Sequence, residues 1–322
     1  MGKKATIWLV IAISLILIGC ILFVGAMEKM HWNFANLSTN KFITTEHQIQ
    51  DSFTGISIEA DTADITFLSA SDGICKLICQ ESAKETHSVT VENGTLKIRL
   101  INNKAWYDYI GIGTQGPKLA IYLPGSEYGE LVIQENTGDI TIPDDFTFES
   151  MKLRATTGEI NNFANVSKDL LIETDTGAIH LENVSAAAIE LSVSTGRVTA
   201  DHILCNENFT LKVSTGKANL SNIQCQNLVT SGNTGNISLT NVVAAKTFTI
   251  LRSTGNVKLN GCDAETIHIE TSTGDVTGSL LTDKLFSALT DTGKIRIPST
   301  TSGGNCVIIT NTGNINIIIS TS

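Results

Sequence analysis

Charge is scarce and unevenly signed in this chain: charged residues make up 17% of 322, with 22 Lys and Arg against 32 Asp and Glu, a net charge of −10. No basic run interrupts that balance. Binding to nucleic acid draws on counterion release from phosphates and needs a cationic footprint, so that class is set aside. The usual signatures of catalysis are missing too, with no His-Glu-x-x-His, no Gly-x-Ser-x-Gly and no calcium-binding loop. Ser214-Thr-Gly-Lys217 lacks the upstream glycine and the following helix of a phosphate loop. The seven cysteines contain no zinc-ribbon arrangement of paired pairs. Six histidines, at 31, 47, 87, 180, 202 and 268, share no common spacing. The expectation is therefore no catalytic residue, no cofactor and no metal. Beyond the N-terminal segment, apolar spacings of three and four do not persist, which excludes a helical core.

What is present begins with an apolar N-terminus. Thr6 to Met27 carries no charged residue, and at ~1.5 Å per residue such a helix crosses a ~30 Å hydrocarbon core. Lys3 and Lys4 precede it and Glu28 and Lys29 follow it. The positive-inside rule then leaves residues 1–5 in the cytoplasm and the remainder outside, with 6–27 as a transmembrane helix and 28–46 as a linker. Two rival readings stand beside the uncleaved anchor. A cleaved signal would use Gly25-Ala26-Met27, although the apolar stretch is longer than the ~7–15 residues usual there. A lipoprotein box, Leu17-Ile18-Gly19-Cys20, would place a lipid on Cys20, although Ile21 to Met27 stays apolar where such proteins turn polar.

The dominant feature is a period. Thr-Gly dipeptides end at Gly138, Gly158, Gly177, Gly196, Gly216, Gly235, Gly255, Gly274, Gly293 and Gly313, with every interval 19 or 20 residues. A fixed period of this length marks a stacked repeat whose units bury their apolar faces against one another. Seven residues before the glycine stand Leu131, Met151, Leu170, Ile189, Phe209, Leu228, Phe248, Ile267, Phe286 and Cys306, and two after it Ile140, Ile160, Ile179, Val198, Ala218, Ile237, Val257, Val276, Ile295 and Ile315. Alternation on both sides of the glycine predicts strand, turn, strand in each coil. Glycine supplies the positive φ of a reversing turn, and the short polar residue before Thr-Gly bonds the local backbone. The fold class is all-β: a β-solenoid, parallel β-helix-like, of about ten coils over 131–322. Stacked at ~4.8 Å, they make a rod roughly 50 Å long.

Residues 47–130 alternate less regularly and read as an irregular β region that caps or starts the solenoid, with an Asn93-Gly94 hairpin turn. Asp61-Thr-Ala-Asp-Ile65 looks like a degenerate repeat. Cys205 and Cys225 lie one coil apart at a position where neighbouring coils carry Ala186, Ala244 and Ala264. They read as buried thiols, with a disulfide as the alternative. Asp139 and Glu159, each following its glycine, are the carboxylates that adjacent coils would bring together in a carbohydrate enzyme, although the ladder continues Ala178, Arg197 and Lys217. Trp106, Tyr107 and Tyr109 form an aromatic group suited to a glycan, a protein partner or the end of the core. The chain closes on Ile315, Ile317, Ile318 and Ile319, and an exposed last coil there would invite self-association.

The N-terminal anchor, Asp61-Thr-Ala-Asp-Ile-Thr66, the Glu92-Asn-Gly-Thr-Leu-Lys-Ile98 hairpin, Leu119-Ala-Ile-Tyr-Leu-Pro124 and the serial Ser/Thr-Thr-Gly-x-Ile/Val coils together resemble the bacterial, LiaG-like "putative adhesin" family of β-strand-repeat proteins. The resemblance covers nearly everything after residue 45. It implies a membrane-tethered extracytoplasmic protein, commonly of Gram-positive bacteria, sometimes tied to envelope stress, with no established enzymatic activity. The expected function is a non-enzymatic envelope scaffold for binding, adhesion or stress sensing, with an envelope glycan or protein as partner. A β-helix carbohydrate enzyme and an end-to-end assembling structural protein are the alternatives.

Overall fold

The computed structural model describes residues 3–29, 31–32, 42–106 and 116–320. Helix α1 (Lys3–Lys29) takes in the whole uncharged N-terminal run, and its length and composition suit a membrane crossing. Beyond it the described residues form one continuous sheet of 22 strands, wound rather than flat. Seven of these lie ahead of the first Thr-Gly coil: β1 (Phe42–Ile49), β2 (Gly55–Glu59), β3 (Asp64–Ser69), β4 (Cys75–Ser82), β5 (Glu85–Glu92), β6 (Thr95–Asn102) and β7 (Lys118–Leu123). The coils follow as β8 (Glu127–Thr137), β9 (Ile140–Ile142), β10 (Thr147–Asn162), β11 (Asn165–Val166), β12 (Asp169–Glu182), β13 (Ser185–Ala186), β14 (Ala188–Cys205), β15 (Asn208–Thr234), β16 (Ile237–Thr254) and β17 (Val257–Thr273). The last are β18 (Val276–Leu280), β19 (Lys284–Thr292), β20 (Ile295–Arg296), β21 (Gly304–Thr312) and β22 (Ile315–Ile319). Strand β1 begins inside the segment read as linker.

The parity of the buried residues shows how a coil closes. In β14 the inward side chains are Ile189, Leu191 and Val193, then Val198 and Ala200, then Ile203 and Cys205. Alternation by two holds within each run and breaks twice, across Thr195-Gly196 and across His202. Each break is a corner, so a coil has three straight runs where the sequence reading expected two. The second corner needs a left-handed residue six positions after the glycine. Asn183, His202, Asn222 and Asn241 occupy it with φ between 52° and 56°, and Gly261 with φ 63°. Asn tolerates this conformation because its short amide bonds the nearby backbone. Here the amides also bond between coils, Asn241 Nδ2 donating to Asn222 Oδ1 at 3.1 Å and Asn222 Nδ2 to Asp201 Oδ1 at 2.9 Å.

The Thr-Gly corner differs from the expected reversing turn. Gly158, Gly177, Gly196 and Gly216 pair with one another inside unbroken parallel strands, and Gly196 sits at φ 152°, a kinked extension rather than a reversal. A Cβ added to Gly196 would lie 1.7 Å from the carbonyl oxygen of Gly177 in the coil below. Glycine is required because the backbones touch there, as well as for its dihedral.

Stacking departs from chain order at both ends. At the N-terminus the coil formed by β2 and β3 packs on β8 and β9, with Ile56 opposite Leu131 and Ile65 opposite Ile140. Its other side pairs with the later strands β6 and β7. Ala63 takes the glycine position of this coil, lying directly under Gly138, so Asp61-Thr-Ala-Asp-Ile65 is a true degenerate repeat. Antiparallel strands then close this end: β5 on β6, β4 on β7, and β1 on β4. At the C-terminus β21 lies between β17 and β19, pairing Cys306 with both Ile267 and Phe286. Strand β22 likewise pairs with β18 and β20. The chain's final coil is therefore inserted inside the stack, with Ile315 and Ile317 buried and Ile318 pointing out. This overturns the expectation of an exposed terminal coil. The outermost layer is instead β19 and β20, where Leu285, Leu289 and Ile295 are exposed. A buried ion pair clasps that layer across the insert, Lys284 Nζ lying 2.5 Å from Asp263 Oδ1.

Candidate functional site

Outward-facing residues four positions before the glycines line up across coils, and at the N-terminal end they make a row of alternating charge. Register places Arg99 beside Glu59, Glu59 beside Gln134, Gln134 beside Arg154 and Arg154 beside Glu173. Arg99 and Glu59 form an ion pair at 3.6 Å, and Arg154 is paired with Glu173. Glu59, Gln134, Arg154 and Glu173 of this row wall a groove of about 550 Å³ beside the Thr-Gly corner, with Asn136, Thr156 and Asp175 on its other flank. Asn136 is held by its amide, which donates to Asp61 Oδ1 at 2.7 Å.

The floor of the groove is the inward column three positions before the glycines, and Glu135 stands in it, 3% exposed. Its Oε1 accepts the Thr137 backbone N–H at 3.3 Å, while Oε2 has no partner. Burial pushes this carboxyl up to about 8, against which the neighbouring backbone donors act only partly. At neutral pH it is largely protonated, and its Oε2 side is left without a protein partner. Thr174, two positions on in the same column beyond Ala155, is buried with its hydroxyl unpartnered. A buried carboxyl of shifted pKa in a polar groove is the kind of group that binding and acid–base sites use. Sequence reasoning passed over Glu135 because its column continues Ala155, Thr174, Val193 and Val213. The signal available was a carboxylate in a column otherwise made of small or apolar residues.

On the other side of the corner the glycine column itself forms a shallow trough bordered by Glu159, Arg197 and Lys217. Asp139 and Glu159 are adjacent here as expected, but Asp139 has structural work: its Oδ1 accepts the backbone N–H of Glu159 at 2.8 Å. The same bond recurs from Asn256 N–H to Asn236 Oδ1 at 2.9 Å, Asp275 to Asn256 at 2.9 Å, Asn314 to Asp275 at 2.7 Å and Lys294 to Asn314 at 3.1 Å. Where the residue after glycine is Asp or Asn, its side chain takes the next coil's N–H. Where it is Glu, Ala, Arg or Lys, from Glu159 to Lys217, the backbones pair directly instead.

The other expected positions fall as follows. Cys205 and Cys225 are buried free thiols in the small-residue column, Cys205 Sγ donating to Ala187 O at 3.4 Å. Cys20 lies exposed within α1. Trp106 is exposed, and Tyr107 and Tyr109 lie outside the described residues. Among the described residues, His47, Cys79 and Glu81 in the cap bring three potential ligating atoms within 4.8 Å of one another. No recurring repeat phase connects these residues, so sequence reading kept them apart.

Crystal structures of similar overall arrangement include a "putative adhesin" of Parabacteroides distasonis, 12% identical, with a TM-score of 0.49 over 87% of this chain and 98% of that one. A "putative adhesin" of Parabacteroides merdae is 11% identical, with a TM-score of 0.47 over the same shares. A "putative lipid binding protein" of Parabacteroides distasonis is 14% identical, with a TM-score of 0.44, again over 87% and 98%. No curated protein matches the sequence. The family described as Toastrack DUF4097 matches residues 53–206 and again 199–322, the interleaved N-terminal coils together with the regular stack, and the chain belongs to that family.

Proposed function

We propose that the chain is a non-enzymatic, adhesin-like binding scaffold of the cell envelope, tethered through α1 with its solenoid outside the membrane. The observation that carries this reading is the groove over Glu135. Its walls are fixed by ion pairs between rigid coils, it is open along the rod, and its donors and acceptors suit the hydroxyls of an envelope glycan. Anchoring agrees with the uncharged helix and the lysines ahead of it. The test uses the full-length protein in nanodiscs, incubated with solubilised cell-wall polysaccharide. Retention of glycan that falls at least tenfold in Arg154→Ala and Gln134→Ala supports the reading. Unchanged retention in both variants removes the groove from it.

A second reading is a carbohydrate enzyme, favoured by the raised carboxyl of Glu135 with Glu59 and Asp175 lining the same groove. Here the acid is Glu135 rather than the Asp139 and Glu159 pair. New reducing ends released by the wild type and lost in Glu135→Gln would establish that reading in place of the first.

A further inference from the structure

The cap that closes the N-terminal end contains a side-chain cluster that the groove and the repeat do not use. Strand β1 pairs antiparallel with β4, so that Thr45 faces Cys79 and His47 faces Leu77. On the shared inner face His47 is therefore the diagonal neighbour of Cys79, within reach of a long side chain, and Glu81 is next along β4. His47, Cys79 and Glu81 each bring one ligating atom to within 4.8 Å of the other two. Strand β5 supplies His87, whose backbone N–H donates to Glu81 Oε1 at 2.5 Å and whose Nδ1 lies 2.9 Å from the same oxygen.

Two features of this cluster are costly as it stands. His87 is 7% exposed, yet its Nε2 has no partner, and the Nε2 of His47 is likewise buried and unpartnered. Each such atom forfeits its hydration with nothing in return. Cys79 and Glu81 also place a thiol and a carboxyl side by side with almost no solvent. One imidazole nitrogen, one sulfur and one carboxylate oxygen form a donor set that zinc accepts, and a bound dication deprotonates a thiol outright.

We propose that this cap binds a zinc-class divalent ion through His47 Nε2, Cys79 Sγ and Glu81, with His87 as the residue that orients the Glu81 carboxylate. On binding, the Cys79 S–H proton leaves to solvent and a sulfur–metal bond forms, without redox change. Zinc–ligand bonds of about 2.0–2.3 Å require the three atoms to draw somewhat closer than they now lie. The ion would join β1 to β4. Strand β1 pairs only with β4 among the described strands and is the first after α1, so the metal would clamp the leader segment onto the solenoid. Sequence reading set cysteine metal sites aside because it sought two sulfur pairs; this donor set is mixed and arises from antiparallel pairing of two strands whose nearest paired residues in sequence, Ile49 at the end of β1 and Cys75 at the start of β4, are 26 positions apart.

The test is Co²⁺ titration of the full-length protein in detergent micelles. The expected result is a thiolate-to-cobalt charge-transfer band saturating at one ion per chain and bleached by Zn²⁺. Cys79→Ser should abolish the band and Cys75→Ser should leave it. His47→Ala, on the outermost strand, should weaken Zn²⁺ binding at least tenfold with the metal-free circular dichroism spectrum unchanged, which separates lost ligation from lost folding. His87→Gln should weaken it by about 10–100-fold, as for residues that support a ligand. Absence of the band in the wild type, or its persistence in Cys79→Ser, overturns the proposal.

Discussion

Replacing Gly196 with alanine tests the stacking geometry most directly. The added Cβ would sit 1.7 Å from Gly177 O, 2.8 Å from its carbonyl carbon and 3.2 Å from its nitrogen, all backbone atoms that no rotamer change can move. Restoring a contact of about 3 Å needs the coils to part locally by more than an ångström, beyond hydrogen-bond range for the ladder between them. Two or three ladder bonds at roughly 1 kcal/mol each, plus about 1–3 kcal/mol for a non-glycine residue in that backbone region, give a loss of about 3–6 kcal/mol. Gly94 is the internal control. It has φ 73° in the hairpin turn, but nothing lies within 4 Å of an added Cβ, so Gly94→Ala should cost only the left-handed penalty of roughly 1–2 kcal/mol. Urea unfolding of both variants, with hydrogen exchange to locate the damage, measures the difference, and exchange should rise around Gly177, Gly196 and Gly216 first. If Gly196→Ala costs no more than Gly94→Ala, the backbones do not touch at this corner and the stacking is wrong.

Three further outcomes follow from the same geometry. Glu135 has a folded pKa of about 8 against an ordinary value of 4.5, so the native state holds the proton more tightly than the unfolded chain. Its stability contribution is full below pH 4.5 and lost as pH rises through about 8; Glu135→Gln should flatten that slope and exceed the wild type by about 2–4 kcal/mol at pH 9, read by chemical denaturation across pH. Arg252 is 4% exposed, with Nε and Nη2 unpartnered and only Nη1 bonded, to Val213 O at 3.1 Å. Arg252→Met should therefore be neutral or stabilising, by about 1 kcal/mol or more, and a fall in melting temperature would contradict the buried placement. The inserted terminal coil predicts an order of unfolding: Ile308→Ala, at a fully buried site, should cost about 2–5 kcal/mol and strip exchange protection from β19 as well as β21. Phe286→Ala should expose β19 and leave β21 on β17; the reverse pattern would mean that the coils stack in chain order.

The sequence alone determined the coil. A period of 19 or 20 residues with apolar columns at fixed phases has no other way to bury them than by winding and stacking, because the same information is repeated in each unit and each needs only its neighbour. The apolar phase, the glycine column, the small-residue column of Cys205 and Cys225, and the degenerate repeat at Asp61–Ile65 were all legible for that reason. Tertiary structure decided what depends on residues far apart in the chain. The order of layers at each end is set by which edge is open when a strand arrives, and Cys306 packs on Ile267 or Phe286 with the same local pattern. The left-handed corner at Asn183, His202, Asn222 and Asn241 hid behind a mixed set of polar residues, and the glycine proved to be a point of backbone contact. The groove over Glu135 and the cluster of His47, Cys79 and Glu81 exist only where register brings unlike columns or antiparallel strands together, and no spacing along one chain records that.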